Sequence, residues 1–333
     1  MSGAAPARAR VVLTDPLHPD ADAALRAGAE VLELPRDLAG ADGDAALREL
    51  VREADGLIVR RQLPADLFDA PGRLRAVVRH GVGLDFIPVE RATARGLPVA
   101  NTPEVNANAV AEYAIAAMLA MSRKLAEFDA QVRAGNWQAR RHAGARTFDL
   151  RGRVLGIVGY GAIGRRLAGI AAQGFGMRLM AHTATPSRLP AHVTPATLET
   201  LFAECDFVVV ACPLTPHTRG MIHAGVLAHA NARTVLVNVG RGPVLREADV
   251  ADALAQGRLG GAVLDVFDVQ PLPADSPLRT HPNVLLTPHL AGMTQDAERA
   301  MGLMAADTVL ALIRGERPAN IVNPEFAAFA GPG

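Results

Sequence analysis

Short apolar runs alternate along the chain with Ala-, Leu- and Arg-rich stretches whose apolar positions recur at helical spacing. The N-terminal third predicts three buried strands and two helices, at residues 11–13, 56–59 and 74–78 and at residues 21–29 and 45–54. Asp20 directly precedes the first helix and is its predicted N-cap. Strand, helix and strand at this spacing predict right-handed crossovers and a parallel sheet.

The alternating pattern stops at Asn101-Thr102-Pro103 and then starts again. A long apolar helix is predicted over residues 105–125, and a final helix over residues 294–314. Six further strands are predicted between them, at residues 155–158, 179–181, 207–211, 234–238, 262–266 and 284–287. The fold class that follows is α/β, with two successive parallel sheets.

Composition narrows the classes of partner. The chain has 333 residues, 50% of them apolar, which is enough for two domains with separate cores. Its formal net charge is zero, so we expect neither nucleic acid nor an anionic membrane as a partner. Cys205 and Cys212 have no metal-ligand spacing and are expected to be reduced thiols, with no bound metal. Met1 to Arg10 lacks the apolar region of a secretory signal, and we expect a cytoplasmic protein.

A glycine motif at residues 159–164, Gly-Tyr-Gly-Ala-Ile-Gly, lies between a predicted strand and a predicted helix. The first glycine allows a tight turn, the second lets the backbone approach a pyrophosphate, and the third permits close packing of helix on strand. The pyrophosphate is then held by the free N–H groups at the start of the helix. The residues predicted to bind the cofactor here are Gly159, Gly161, Ala162, Ile163 and Gly164.

The choice between NAD and NADP depends on the end of the second strand of this unit. An NAD site expects an acidic residue there, but none occurs between Asp149 and Glu199. Thr183 and Arg188, with help from Ser187 or His182, are suited to a 2′-phosphate instead. We therefore favour NADP over NAD; the alternative is that Arg188 is a solvated loop residue and the site accepts both.

Other segments resemble the D-isomer-specific 2-hydroxyacid dehydrogenase family, and the resemblance covers nearly the whole chain. The matching segments are the substrate loop at 79–85, the hinge at 101–103, the helix start at 110–112 and the cofactor loop at 212–215. The resemblance implies two doubly wound parallel-sheet domains. A Rossmann-type cofactor domain, residues 104–289, is inserted into a flavodoxin-like substrate domain made of residues 1–103 and 290–333.

The same resemblance implies several contacts. The backbone amides of Val82 and Gly83 would meet the substrate carboxylate, and Arg60 would contact a second anionic group unless it is simply solvated. The residues it adds to the cofactor site are Pro213, Thr218 and Asp265. It also implies a homodimer through the helix that starts at Val105, the alternative being a helix buried within one chain.

Two side chains have the chemistry of 2-oxo acid reduction. Arg241 lies between Gly240 and Gly242 after a strand, and its planar fork is suited to a carboxylate and to polarising the neighbouring carbonyl. The family's catalytic arginine falls here. His289 follows Pro288 at a strand end, and histidine, with an unperturbed pKa of about 6.5, transfers protons near neutral pH.

One position departs from the family pattern. Gln270 stands where the family usually has the glutamate that pairs with the catalytic histidine. An amide still orients the ring but adds no charge to favour the imidazolium, so we expect His289 to lose its proton at lower pH than in relatives with glutamate. Gln270 leaves two alternatives to a reductase of glyoxylate or hydroxypyruvate: an enzyme acting on formate, and a dinucleotide-sensing protein without catalysis. A nearby carboxylate, Asp268, is a weaker candidate as the histidine's partner.

Overall fold

The computed structural model describes residues 8–38, 40–70 and 72–328. Contacts divide the chain into two compact units, residues 1–106 with 293–333 and residues 107–292. The limits expected from sequence, 103 and 289, each lie three residues earlier. Most of the Met1–Arg10 stretch lies outside the described residues. Among the residues described, no helix is long and apolar enough to cross a membrane, and no cluster of acidic, His and Cys side chains is suited to a metal ion.

Twelve strands form two sheets in the described residues, and every pairing between named strands is parallel. In the first unit they are β1 (Arg10–Leu13), β2 (Glu30–Glu33), β3 (Gly56–Val59), β4 (Ala76–Arg79) and β5 (Val99–Ala100). In the second unit they are β6 (Val154–Val158), β7 (Arg178–His182), β8 (Val193–Pro195), β9 (Phe207–Val210), β10 (Val235–Asn238), β11 (Gly261–Leu264) and β12 (Val284–Leu286).

The strand orders identify the two topologies. The first sheet runs β2-β1-β3-β4-β5, which is the flavodoxin-like order. The second runs β8-β7-β6-β9-β10-β11-β12, the Rossmann order with one strand added. In the second sheet the order reverses between β6 and β9, and ligands of such sheets bind at that point. The predicted fold class is confirmed.

Helices cover both faces of each sheet. The first part of the chain contributes α1 (Pro19–Gly28), α2 (Gly40–Arg52) and α3 (Val89–Ala94). The second unit contains α4 (Ala107–Arg123), α5 (Leu125–Arg133), α6 (Ala143–Arg146), α7 (Ala162–Phe175), α8 (Leu198–Glu204), α9 (Ala224–Leu227) and α10 (Glu247–Ala255). The C-terminal α11 (Gln295–Ile313) returns to the first unit and packs on α1 and β3.

The structure corrects one local prediction and bears on a second. Asp20 is not the N-cap of α1: Pro19 occupies the first turn, and the Nδ1 atom of His18 accepts the Asp20 N–H at 3.2 Å. The apolar residues of α4 are mostly buried within their own unit, against α7 and β10. The burial of α4 agrees with the alternative, a helix buried within one chain, and the homodimer stays a prediction.

Candidate active site

The glycine motif forms an open cradle at the end of β6. Gly159 has φ +96°, and a Cβ there would lie 2.7 Å from the Cα of Cys212. A Cβ on Gly164 would lie 2.4 Å from the Gly159 carbonyl oxygen, so this glycine is needed for packing. Around a Cβ on Gly161, by contrast, no described residue other than its chain neighbours has an atom within 4 Å, and α7 begins at Ala162 without a side-chain cap from the described residues. The open space and the uncapped helix start fit a pyrophosphate.

The loop after β9 lies beside this cradle. Thr218 Oγ1 donates to the Pro213 carbonyl at 2.7 Å, and the Thr215 N–H donates to Thr218 Oγ1 at 2.8 Å. Cys212 also contacts a third loop, the one that carries Arg241. A Cβ on Gly240 of that loop would lie 2.8 Å from the Cys212 carbonyl oxygen. Three motif loops thus meet at the point where the strand order reverses.

The end of β7 presents the residues predicted to select the cofactor. Arg188 is exposed on a 3-10 turn. Thr183 Oγ1 accepts a long hydrogen bond, 3.5 Å, from the backbone N–H of Thr185. The His182 ring is already engaged, with Nδ1 at 3.1 Å from the Ala196 carbonyl oxygen. Thr183 and Arg188 therefore remain the better candidates for a 2′-phosphate.

The Arg241 loop is built for close backbone contact. Asn238 bridges it, donating from Nδ2 to the Arg241 carbonyl at 3.1 Å and accepting the Gly240 N–H at 3.1 Å. A Cβ on Gly242 would lie 1.9 Å from the carbonyl carbon of Phe267. Neither Gly240 nor Gly242 has a positive φ, and what these glycines permit is the close approach of neighbouring chain segments. The Arg241 loop consequently rests on the segment that leads to Gln270.

His289 and Gln270 are brought into contact. His289 has φ +57°, and its N–H donates to the Asp265 carbonyl at 2.9 Å. Its Nδ1 lies 3.3 Å from Gln270 Oε1, while Gln270 Nε2 donates to the Phe267 carbonyl at 3.4 Å. With the amide in this orientation its oxygen accepts the Nδ1 proton, so the ring nitrogen that does not face Gln270 is Nε2.

Asp265 anchors the segment that carries this histidine. Its carboxylate is buried and accepts from Thr287 Oγ1 at 2.6 Å and from the N–H groups of Leu290 and Ala291 at 2.8 and 2.9 Å. The sequence interpretation gave Asp265 a cofactor contact; in the structure three donors of the Thr287–Ala291 segment surround its carboxylate. Its observed contacts are those of a positioning residue for His289.

Two residues near the site had no sequence signal. Tyr113 of α4 places its hydroxyl 2.5 Å from Thr287 Oγ1, and burial raises the pKa of this tyrosine. Glu247, at the start of α10, accepts the backbone N–H of Asp268, and burial raises the pKa of its carboxyl group. Asp268 itself is exposed. Neither Tyr113 nor Glu247 belongs to a motif, so only the folded arrangement reveals them.

Gln270 and His289 border a cavity of about 570 Å³. Its other walls include Phe267, Leu272 and Leu286, with Arg279 as a charged member. The cavity therefore combines an acid/base group with apolar walls, as small-molecule sites commonly do.

In the first unit, Val82 is exposed on the loop after β4, with Gly83 beside it. Arg60 is occupied elsewhere: Nη2 donates to Glu298 Oε2 at 2.6 Å and Nη1 to the Pro16 carbonyl at 2.5 Å. The guanidinium of Arg60 is thus part of an ion pair within the first unit, and this pair competes with the predicted contact to a second anionic group.

Comparison with known proteins identifies the family. The model of the D-isomer specific 2-hydroxyacid dehydrogenase NAD binding domain matches residues 115–291. A glyoxylate reductase from Korarchaeum cryptofilum is 38% identical over 293 residues, covering 86% of this chain and 87% of that protein. This chain belongs to the D-isomer-specific 2-hydroxyacid dehydrogenase family. It is an NAD(P)-dependent oxidoreductase that interconverts 2-oxo acids and D-2-hydroxy acids.

Solved structures of similar proteins agree with this assignment. An NADPH-dependent glyoxylate/hydroxypyruvate reductase from Sinorhizobium meliloti, in complex with NADP and malonate, is 32% identical with a TM-score of 0.81. The match covers 96% of this chain and 98% of that one. The TT0316 protein from Thermus thermophilus is 34% identical with a TM-score of 0.85, covering 94% of this chain and 99% of that one. The two-sheet fold is therefore that of this dehydrogenase family.

Proposed function

We propose that this dehydrogenase reduces small 2-oxo acids with NADPH. Glyoxylate and hydroxypyruvate are the substrates that we propose first. The main support is the contact of His289 with Gln270 beside the loop that carries Arg241. Relatives named for glyoxylate or hydroxypyruvate reduction support the substrate class. The test is the product formed from hydroxypyruvate and NADPH, resolved by chiral chromatography. D-glycerate is expected, and L-glycerate or no glycerate would contradict the proposal.

In the proposed mechanism the Arg241 guanidinium binds the substrate carboxylate, together with the N–H groups of Val82 and Gly83. His289, as imidazolium, donates its Nε2 proton to the carbonyl oxygen, and it takes that proton back in the reverse direction. Gln270 keeps the ring oriented by accepting the Nδ1 proton. When bound, the nicotinamide supplies the hydride that reaches the carbonyl carbon.

The residues proposed to hold the cofactor are Gly159, Gly161, Ala162, Ile163, Gly164, Thr183, Arg188, Pro213 and Thr218. The cradle at the start of α7 would take the pyrophosphate through backbone N–H groups. Thr183 and Arg188 would take the 2′-phosphate, which is the reason for favouring NADPH.

Replacing Gln270 with glutamate is expected to extend reduction to higher pH. A carboxylate 3.3 Å from the ring would favour the imidazolium, which is the form that reduction requires. As pH rises, the falling limb of kcat/KM should therefore appear about one pH unit higher in Gln270→Glu than in the wild type. Gln256→Glu adds the same charge at an exposed position and should leave the limb unmoved. An unshifted limb in Gln270→Glu would show that this residue does not control protonation.

Removing the Arg188 side chain is expected to weaken the binding of NADPH but not that of NADH. Arg188→Ala would lose one charge-assisted contact to the 2′-phosphate, which corresponds to about a tenfold rise in KM for NADPH. KM for NADH should not change, because NADH lacks that phosphate. Arg178→Ala, an exposed position at the opposite end of β7, is the matched control. Equal effects on both cofactors would contradict the assignment.

We propose a homodimer, supported by the segment from α5 to α6. No residue of α5, of the 3-10 helix Trp137–His142 or of α6 is buried, and Leu125, Val132 and Trp137 expose more than half of their surface. Light scattering after gel filtration should give twice the 34.9 kDa chain mass, and Trp137→Glu should shift the mass toward the monomer. A monomeric wild type would refute the dimer.

The cytoplasm is the compartment we propose. Cys205 and Cys212 are both buried and unpaired. Burial raises their pKa values, to about 12 and about 11, so the thiols stay protonated and unreactive. Unpaired thiols are typical of a reducing compartment.

A further inference from the structure

We propose that Asn101 and Arg79 are positioning residues that hold the Val82–Gly83 peptide with its N–H groups turned to the substrate carboxylate. The inference rests on the proposed function of this loop. It also gives Asn101 a role beyond the hinge that the Asn101-Thr102-Pro103 segment resembles.

Two neighbouring carbonyl groups of the loop are fixed by the Asn101–Thr102 segment. The Thr102 N–H donates to the Gly81 carbonyl at 3.1 Å, and Asn101 Nδ2 donates to the Val82 carbonyl at 2.9 Å. The Gly81 N–H in turn donates to Thr102 Oγ1 at 2.8 Å. The loop and this segment are therefore joined by three hydrogen bonds.

These bonds determine where the next N–H groups point. The Gly81 carbonyl shares a planar peptide with the Val82 N–H, and the Val82 carbonyl shares one with the Gly83 N–H. In a trans peptide the carbonyl and the N–H point in opposite directions, so holding both carbonyls turns both N–H groups away from Asn101 and Thr102. Within the described residues neither N–H has an acceptor. A carboxylate is the ligand that two such donors fit.

The bond from Asn101 also strengthens the donor. A hydrogen bond to the carbonyl of a peptide polarises the N–H of the same peptide. Asn101 is itself held in place, because Asn320 Nδ2 donates to its carbonyl at 2.6 Å and the Asn320 carbonyl accepts its N–H at 3.3 Å. The Asn101 amide is therefore oriented toward the loop before substrate arrives.

Arg79 fastens the other side of the loop. Its Nη1 donates to the Val59 carbonyl at the end of β3 at 2.7 Å, and its Nε donates to the Gly83 carbonyl at 3.1 Å. The guanidinium carbon lies 4.6 Å from the centre of the Phe86 ring. Gly81 packs beside this guanidinium, because a Cβ on Gly81 would lie 3.5 Å from the guanidinium carbon of Arg79. Its φ of +134° is a conformation that favours glycine. Arg79 thus ties the loop to the sheet beneath it.

The test separates carboxylate binding from general damage. Asn101→Ala is expected to raise KM for glyoxylate about tenfold, with kcat and KM for NADPH near the wild-type values, because the lost interaction serves substrate binding. Asn231→Ala removes a comparable bond, from Nδ2 to the Ala203 carbonyl at 3.2 Å, and should leave KM for glyoxylate unchanged. Should Asn101→Ala fail to fold, Arg79→Met, which keeps the stem of the side chain, is expected to raise the same KM.

The outcomes distinguish the two proposals. An unchanged KM for glyoxylate in a folded Asn101→Ala or Arg79→Met variant of an active enzyme would overturn the positioning role alone. A lower kcat together with equal rises in KM for glyoxylate and for NADPH would assign these residues to folding. That result would also overturn the positioning role. A wild type that reduces no 2-oxo acid would overturn the proposed function, and this inference with it.

Discussion

Replacing His289 with asparagine is expected to lower kcat for glyoxylate reduction about a thousandfold, while NADPH binds as in the wild type. Asparagine keeps polarity and tolerates the φ of +57° found at this position, but it has no proton to give to the carbonyl oxygen. Loss of a general acid costs about a hundred- to ten-thousandfold in rate. Steady-state rates, with NADPH binding followed by fluorescence titration, provide the measurement.

The matched control for this variant is His229→Gln, which removes an exposed histidine of the same unit. It should retain wild-type kcat. Activity within about threefold of the wild type in His289→Asn would mean that another group supplies the proton. Loss of NADPH binding together with kcat would instead indicate that the segment anchored by Asp265 had collapsed.

Replacing Arg241 with lysine is expected to lower kcat/KM for glyoxylate about a thousandfold. Lysine keeps the charge but loses the planar fork, so it cannot bind the carboxylate through two parallel bonds or polarise the carbonyl from the same position. Because the carboxylate contact already serves substrate binding, while the polarisation of the carbonyl oxygen strengthens only in the transition state, KM should rise and kcat should fall. Steady-state kinetics with glyoxylate as the varied substrate tests this.

Arg233→Lys, at an exposed arginine of the same unit, is the control and should leave kcat/KM for glyoxylate unchanged. The structure gives a second check. Gly242→Ala should also be strongly impaired, because its Cβ would overlap the Phe267 carbonyl carbon and push the Arg241 loop away. If Arg241→Lys were as active as the wild type, a simple positive charge would suffice and the fork would have no special function.

The fold could be predicted wherever a strand is buried on both faces. Strands such as β6, β9 and β10 are continuous apolar runs, and the parallel sheet follows from their spacing. The three missed strands, β2, β5 and β8, all lie at a sheet edge. Each is either very short or flanked by polar residues, so it carries little apolar signal, and only its neighbour in the sheet defines it.

The site could be predicted where one residue type at one position carries the chemistry. The contact of Gln270 with His289 is expected from the family resemblance, and the structure contains it. What could not be predicted are partners that depend on distant chain segments, such as Tyr113 with Thr287. Arg60 shows the converse: the sequence places a suitable arginine after a strand, but it does not indicate that Glu298, far along the chain, pairs with it.

The most direct test of the proposed reaction is a comparison of initial rates of NADPH and NADH oxidation with glyoxylate, hydroxypyruvate, pyruvate and phenylpyruvate. Formate with NADP⁺ and NAD⁺ belongs in the same series because of Gln270. We expect turnover of glyoxylate or hydroxypyruvate, faster with NADPH than with NADH at low cofactor concentration. Preference for NADH would contradict the assignment of Thr183 and Arg188 and leave the proton transfer intact. No turnover of any 2-oxo acid, with or without formate oxidation, would contradict the central claim.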